Sequence, residues 1–208
     1  MTLTPDDAHR LEACLAAGGI AVFPADTVYG VGCDPENQVA VERLYELKGR
    51  PATRPAAVMF FSLHAALDAL PELRERERAA VNALLPGPVT LLLPNRRRRF
   101  PLACGLGSDT LGVRVPLLEG ALAPLRAVGV PVMQSSANIS GEAAVRRLAD
   151  VPISLREGAD LCLDGGELPG TASTVLDLRA YEDRHQWRIV RAGPTTAQEL
   201  EPALGRGG

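Results

Sequence analysis

Lysine is nearly absent from this 208-residue chain: Lys48 is the single lysine among 22 Lys and Arg residues. Long apolar runs are absent as well. No stretch approaches the roughly 18 apolar residues that a membrane-spanning helix needs, and the N-terminus is acidic rather than basic and apolar. We therefore predict neither a membrane span nor a secretory signal, and we expect a cytoplasmic protein without a membrane partner.

Cysteine and histidine are also scarce. The four cysteines and three histidines are widely spaced and include no Cys-x-x-Cys pair, so neither a metal site nor a disulfide framework is indicated. We expect buried free thiols. A Walker phosphate loop is missing too, since Gly-x-x-x-x-Gly-Lys-Ser/Thr does not occur. A net charge of −3 argues against a surface that coats nucleic acid.

Helix and strand patterns alternate along the chain. Thr4-Pro5 begins a helix, the pattern over 38–48 predicts a second, and a charged helix is expected over 72–85. The predicted strands are 20–23, 57–61, 89–93, 111–115, 131–134, 161–163, 174–178 and 187–191. With no internal repeat or linker, this pattern predicts one α/β domain over residues 1–208, built on a mixed sheet.

Polar residues collect where predicted strands end, and α/β folds place ligands there. The segment 24–32 combines hydroxyls with glycines and predicts a loop that a ligand approaches closely. The run 134–141, Gln-Ser-Ser-Ala-Asn-Ile-Ser-Gly, is rich in donors and predicts an anion cradle that opens a helix. Each segment alone is also typical of an ordinary turn. Together with the nearby cations they indicate a site for a polyanion.

Lys48 lies at the end of a predicted helix, in Leu-Lys-Gly-Arg-Pro. Its ammonium is a compact charge that binds phosphate or carboxylate oxygens. It would equally favour the negative end of the helix dipole. The residue alone leaves both interpretations open.

Seven short segments follow one another in a fixed order. They are Pro-Ala-Asp-Thr-Val-Tyr-Gly (24–30), Lys-Gly-Arg-Pro (48–51), Pro-Gly-Pro-Val-Thr-Leu (86–91), Val-Arg-Val-Pro (113–116), Ser-Ala-Asn-Ile-Ser-Gly (136–141), Ser-Thr-Val-Leu-Asp (173–177) and Ile-Val-Arg-Ala-Gly (189–193). This order resembles the Sua5/YrdC/YciO family, including its Lys-x-Arg…Ser-x-Asn signature, over about residues 10–195. The resemblance implies the YrdC-like fold, a twisted mixed α/β sheet with a concave cationic cleft.

The resemblance also implies the activity of an L-threonylcarbamoyladenylate synthase. Such a nucleotidyltransferase converts threonine, bicarbonate and ATP, with Mg²⁺, into threonylcarbamoyl-AMP and pyrophosphate. The product feeds the t6A transferase machinery, which modifies adenosine 37 of tRNA. The short C-terminal part of the chain resembles the YrdC type rather than the longer Sua5 type.

Family roles carry over to this sequence position by position. The resemblance implies a catalytic role for Lys48 and Arg50. On the nucleotide side it implies Arg50, Arg54, Thr110, Ser136, Asn138 and Arg191. On the threonine side it implies Thr27, Arg114, Gln134 and Ser173. Met59 departs from the pattern, since threonine-binding members often have His there.

Two alternatives remain open at this stage. Met59 is compatible with a YciO-like paralogue that has the same fold and a different substrate. The four arginines at 96–99 are compatible with a module that binds tRNA or double-stranded RNA, although we interpret them as a solvated loop. A carbamoyl-transfer module of hydrogenase maturation is disfavoured, because its zinc-finger and acylphosphatase parts are missing.

Overall fold

The computed structural model describes residues 2–49, 51, 54–105, 107–139 and 141–206. A nine-stranded sheet runs through this part of the chain. Its strands are β1 (Ala21–Pro24), β2 (Tyr29–Cys33), β3 (Ala57–Met59), β4 (Val89–Pro94), β5 (Thr110–Arg114), β6 (Val132–Ser136), β7 (Leu161–Cys162), β8 (Thr174–Asp177) and β9 (Arg188–Arg191). Their order across the sheet is β7-β1-β2-β6-β3-β5-β4-β8-β9. Three neighbouring pairs are parallel and five are antiparallel, which confirms the predicted mixed sheet.

Helices connect and cover these strands. They are α1 (Pro5–Ala16), α2 (Gln38–Leu47), α3 (Leu63–Ala69), α4 (Glu75–Leu84), α5 (Pro101–Cys104), α6 (Ile153–Gly158), α7 (Tyr181–Arg184) and α8 (Ala197–Leu204), with 3₁₀ turns at Gly120–Ala127 and Leu148–Asp150. The predicted start of α1 is confirmed by a capping box, in which Thr4 accepts from the backbone N–H of Asp7 and the Asp7 carboxylate accepts from that of Thr4. None of the helices in these ranges has the length and apolar character needed to cross a membrane.

The core surrounds the sheet. Every residue of β1 and β2 is buried, which requires that both faces of the sheet are covered there. Large side chains such as Phe23 and Phe61 meet with ring centroids 6.0 Å apart. Burial of each such side chain contributes about 1.5–3 kcal/mol to folding. Cys33 and Cys104 are buried as predicted, whereas Cys14 and Cys162 are half-buried, and all four thiols are free.

The predicted ligand loop over 24–32 is wrong in its second half, because residues 29–33 form strand β2. A Cβ atom on Gly30 would lie 2.7 Å from Nε2 of Gln134, and one on Gly32 would lie 2.6 Å from the Met133 carbonyl oxygen. These glycines therefore serve the close packing of β2 against β6. The loop is confined to residues 25–28.

The segment after β6 differs from prediction as well. No helix begins there among residues 137–139 and 141–147; the chain bends instead. The Asn138 amide donates to the carbonyl oxygens of Ile139 (2.9 Å) and Glu142 (2.8 Å), and such local bonds compete with a helix. The predicted charged helix begins at Glu75 rather than at residue 72.

Asp177, at the end of β8, links the sheet to two arginines. Hydrogen bonds from Arg179, with further support from Arg188, lower the pKa of Asp177 from 3.8 to about 2. A lowered carboxyl pKa stabilises the fold above the pKa of the unfolded chain, and this contribution is lost as pH falls towards 2. Asp177→Asn should therefore lower the free energy of unfolding at pH 7 by about 1–2 kcal/mol, and the melting temperature with it. At pH 2 the substitution should have little effect.

Calorimetry between pH 2 and pH 7 measures this difference. Asp183→Asn is the matched control, because Asp183 pairs with Arg74 on an exposed surface and such pairs contribute little. An Asp177→Asn deficit that is the same at both pH values would contradict the assignment.

Candidate functional site

A cleft of about 480 Å³ opens over the middle of the sheet. Thr110, Gly112 and Arg114 of β5 all line it, and residues two apart in a strand share one face. Further lining residues come from the β1–β2 loop and from β3, β4, β6, β8 and β9. This volume is in the range of small-molecule sites.

Seven of the predicted site residues meet in this cleft. They are Thr27, Thr110, Arg114, Gln134, Ser136, Ser173 and Arg191. All four predicted threonine-side residues are included. The structure thus brings together side chains from segments that are far apart in the sequence.

Arg114 forms one wall of the cleft, and its side chain is only 4% exposed. Its guanidinium donates to the Asp26 carboxylate and, at 2.8 Å, to the Thr27 hydroxyl. The second oxygen of Asp26 accepts from the backbone N–H of Leu117 at 3.0 Å. Asp26 therefore ties Arg114 to the β1–β2 loop and to the segment after β5.

Burial dominates the electrostatics of this pair. It raises the pKa of the Asp26 carboxyl, while Arg114 acts in the opposite direction. Burial lowers the pKa of the Arg114 guanidinium, Asp26 raises it, and Arg191 lowers it further. Arg114 and Arg191 are thus close enough for their charges to repel each other.

Arg191 occupies the other side of the cleft and binds neutral oxygens. It donates to the Ser173 carbonyl oxygen at 2.8 Å and to the Ser173 hydroxyl at 3.2 Å. The same hydroxyl lies 2.8 Å from that of Thr90. Within the described ranges no carboxylate pairs with Arg191, so its positive charge is uncompensated by the described part of the protein.

Lys48 lies behind the cleft rather than in its lining. It caps α2, is 3% exposed, and its ammonium donates to the carbonyl oxygens of Ser136 and, at 2.7 Å, Asn138. The ammonium thus holds the main chain that follows β6. Asn138 is buried in the same turn and is also outside the lining.

The remaining predicted cations are placed differently. Arg54 is exposed and outside the lining, although the next residues, Pro55 and Ala56, belong to it. Arg50 lies outside the described residues. The roles predicted for Lys48, Asn138, Arg54 and Arg50 stay predictions.

Several cleft residues were not singled out from the sequence. Thr90 and Ser108 line the cleft, and Asp26 binds Arg114 from outside the described lining. The sequence pattern could have indicated Thr90. It lies between two apolar residues of a predicted strand, so its hydroxyl side chain must point to the opposite face of the sheet. No local pattern indicated Asp26 beyond its place in the family-like segment 24–30, because its partner Arg114 is 88 residues away in the sequence.

The arginines at 96–99 are less solvated than predicted. Arg96 makes a two-pronged bond to the buried Glu77 carboxylate, with both distances at 2.8 Å, and Arg99 donates to Glu72 at 2.7 Å. Two of the four guanidiniums therefore anchor the loop to the α4 region. This reduces the charge that the run can offer to RNA.

Ser136 gives a direct test of the nucleotide side. Ser136 lines the cleft, and its carbonyl oxygen accepts a hydrogen bond from Lys48. Ser136→Ala should raise the dissociation constant for ATP about tenfold, which is about 1.4 kcal/mol, by removing one phosphate donor. Isothermal titration calorimetry measures this. Unchanged ATP affinity with an unchanged melting temperature would remove Ser136 from the nucleotide site.

Known proteins resemble this chain along most of its length. A family model named Sua5/YciO/YrdC and described as "Telomere recombination" matches residues 13–193. The threonylcarbamoyl-AMP synthase of Idiomarina loihiensis is 36% identical over 171 residues, which is 79% of this chain and 91% of the relative. That of Pyrococcus abyssi is 32% identical over 189 residues, which is 90% of this chain and 54% of the relative.

Solved structures share the fold. P. abyssi Sua5, in a crystal structure of its complex with L-threonine, matches with a TM-score of 0.84 and 29% identity over 99% of this chain and 59% of that one. E. coli YciO matches with a TM-score of 0.79 at 24% identity, over 97% and 94% of the two chains, which shows the fold alone. The chain thus spans just over half of the P. abyssi relative but nearly all of the Idiomarina one. These matches confirm the resemblance predicted from the seven segments, and the chain belongs to the Sua5/YciO/YrdC family.

Proposed function

We propose that this protein is a threonylcarbamoyl-AMP synthase, an enzyme that joins threonine, bicarbonate and ATP into threonylcarbamoyl-AMP and pyrophosphate. The relatives that carry this name support the activity, and the Sua5 complex with L-threonine supports the amino-acid substrate. The proposal includes assignment to the nucleotidyltransferases.

One observation carries the proposal: the cleft has two differently charged halves side by side. In one half Arg114 is balanced by Asp26, which suits a zwitterionic amino acid. In the other half the described partners of the Arg191 guanidinium are neutral oxygens of Ser173, which suits a phosphate group. Ser173, a predicted threonine-side residue, contacts Arg191 directly, so the amino acid and the nucleotide would meet at this point.

The chemistry needs positioning more than covalent participation by the protein. The neutral amine of threonine attacks bicarbonate, forming the C–N bond of a carbamate and releasing water. A carbamate oxygen then attacks the α-phosphorus of ATP, and the bond to pyrophosphate breaks. Both steps bring anions together, so fixed cations and hydroxyl donors lower the barrier by orientation and charge stabilisation.

The individual roles are those that the family resemblance implies. Thr27, Arg114, Gln134 and Ser173 would hold threonine; Thr110, Ser136 and Arg191 would hold the nucleotide, with Arg50, Arg54 and Asn138 as further nucleotide-side residues. Gln134 lines the cleft, where its side-chain amide would bind a ligand. Lys48 and Arg50 would stabilise the reacting charges. Lys48 also fixes the main chain of the turn after β6 through its hydrogen bonds to two carbonyl oxygens.

Mg²⁺ would enter with ATP as part of the substrate. The described residues include no group of three or more His, Cys, Asp or Glu side chains that could hold a metal ion. Phosphate oxygens and water are the ligands that Mg²⁺ commonly keeps when it is bound with nucleotides.

The experiment is a pyrophosphate-release assay on the purified chain. Release from ATP should require threonine and bicarbonate together, and mass spectrometry should find threonylcarbamoyl-AMP. Equal turnover with serine, glycine or no amino acid would contradict the threonine assignment and favour a paralogue with another substrate.

The wider setting belongs to the same proposal. We place the enzyme in the cytoplasm as one catalytic unit over residues 1–208, supplying its product to the t6A transferase machinery. A direct contact with tRNA is a separate expectation that gel-shift experiments would test.

A further inference from the structure

Asp26 is a buried carboxylate beside the cleft that does not belong to its lining. Its side chain is 7% exposed, and both of its oxygens have protein partners, Arg114 on one and the backbone N–H of Leu117 on the other. Asp26 is outside the described lining of the cleft, so a ligand in the cleft contacts Arg114 rather than this carboxylate. Any effect of Asp26 on a ligand therefore acts through Arg114 and through its own negative charge.

The described lining of the cleft contains few formal charges. Among the described lining residues only Arg114 and Arg191 carry a charge, and both are positive. Asp26 is the carboxylate paired with Arg114. The half of the cleft at Arg114 is thus neutral overall because of Asp26, and it would carry one positive charge without it.

A neutral pair and a bare cation select different ligands. Beside a bare guanidinium, a simple carboxylate binds well and a nearby ammonium is repelled. Beside a guanidinium–carboxylate pair, the ammonium of an amino acid experiences the negative charge while its carboxylate still experiences the positive one. The effect is strong at this site because both partners are buried and poorly screened by solvent.

We propose that Asp26 is a positioning and specificity-determining residue: it holds the Arg114 guanidinium in place and makes this half of the cleft select a zwitterionic amino acid over a simple carboxylate of the same shape. The inference rests on the proposed function, because it takes a free amino acid as the ligand. It deepens that function by assigning the discrimination to a residue that does not touch the substrate.

The test compares two ligands that differ in one group. (R)-3-Hydroxybutyrate keeps the carboxylate, hydroxyl and methyl groups of threonine and lacks the amine. Calorimetry on the full chain should show wild-type protein binding threonine more tightly. In Asp26→Asn the ratio of the two affinities should fall at least about tenfold, with threonine weakened and hydroxybutyrate unchanged or strengthened. The KM for threonine should rise accordingly, while the KM for ATP should change much less.

Two further variants separate charge from structure. Asp26→Glu keeps the charge and should retain most of the affinity ratio, even if both affinities fall because Arg114 shifts. Asp160→Asn is the matched control, since Asp160 also pairs with an arginine, Arg43, and also accepts a backbone N–H, that of Ile20. It lies outside the cleft lining and should leave the ratio unchanged.

The outcomes are distinguishable. If the wild type binds threonine and Asp26→Asn weakens both ligands equally, or neither, Asp26 is only structural and this inference is overturned. If the wild type binds neither ligand, the proposed function fails, and the inference with it. If Asp26→Asn does not fold, Asp26→Glu decides: a collapsed ratio in that charge-retaining variant would also overturn the inference.

Discussion

Arg114→Gln is expected to lower the threonine-dependent catalytic efficiency by a factor of about a hundred or more. Among the described lining residues the guanidinium is the only charged group in its half of the cleft, and it also holds the hydroxyl of Thr27. Loss of a charge-assisted contact to the substrate contributes about 1.5–3 kcal/mol, and displacement of Thr27 adds to it. Steady-state kinetics with varied threonine measures the change as kcat/KM.

The same substitution should destabilise the fold, because it leaves the Asp26 carboxylate buried without its cation. Breaking a buried pair in this way costs about 3–5 kcal/mol. Burial already raises the pKa of Asp26, and without Arg114 the pKa should rise further. An acid whose pKa is higher in the folded chain binds its proton on folding, so the variant should regain stability as pH falls from 7 towards the ordinary carboxyl pKa of 3.8. Urea unfolding at several pH values measures this.

The double variant Arg114→Gln with Asp26→Asn separates the two effects. It removes the uncompensated charge, so most of the stability should return at neutral pH. Activity should stay low, because the guanidinium is still missing. A double variant that recovers activity together with stability would show that Arg114 serves only the fold.

Lys48→Met is expected to cost about 2–4 kcal/mol of folding free energy and to lower turnover at least about tenfold. The substitution keeps the length and apolar stem of the side chain but removes the donor to the carbonyl oxygens of Ser136 and Asn138. The main chain after β6 should loosen, and with it the position of the Ser136 hydroxyl in the cleft. Hydrogen exchange should become faster in residues 134–145, and pyrophosphate release should slow.

Two companion variants sharpen this result. Lys48→Arg keeps the charge, but a planar guanidinium is longer and cannot place one small donor group between the same two acceptors, so activity should still fall. Arg156→Met is the matched control, because Arg156 also binds a main-chain carbonyl oxygen, that of Val151 at 3.0 Å, away from the cleft. Full activity in Lys48→Arg would refute the view that the ammonium geometry matters.

Local patterns predicted much of the fold because they depend on neighbouring residues. The Thr4-Pro5 helix start is a matter of capping within one turn, and it is confirmed. The apolar runs predicted eight of the strands, with boundaries that differ by up to two residues, as for β3 and β6. Strand β2 was missed because its glycines are equally typical of a loop; only the close approach of β6 explains them.

The sequence by itself determined the fold class, the family and seven of the described cleft residues, because the seven segments and the short apolar runs are local and ordered. Tertiary structure decided how those residues are used. Arg114 and Asp26 are 88 positions apart, and Lys48 and Asn138 are 90 apart. Whether a cation meets a carboxylate, a carbonyl oxygen or an open cleft depends on how the strands are ordered in the sheet, and no local pattern encodes that contact. The Arg114–Asp26 pair and the Lys48 contact with Asn138 therefore exist only once the fold has brought these distant residues together.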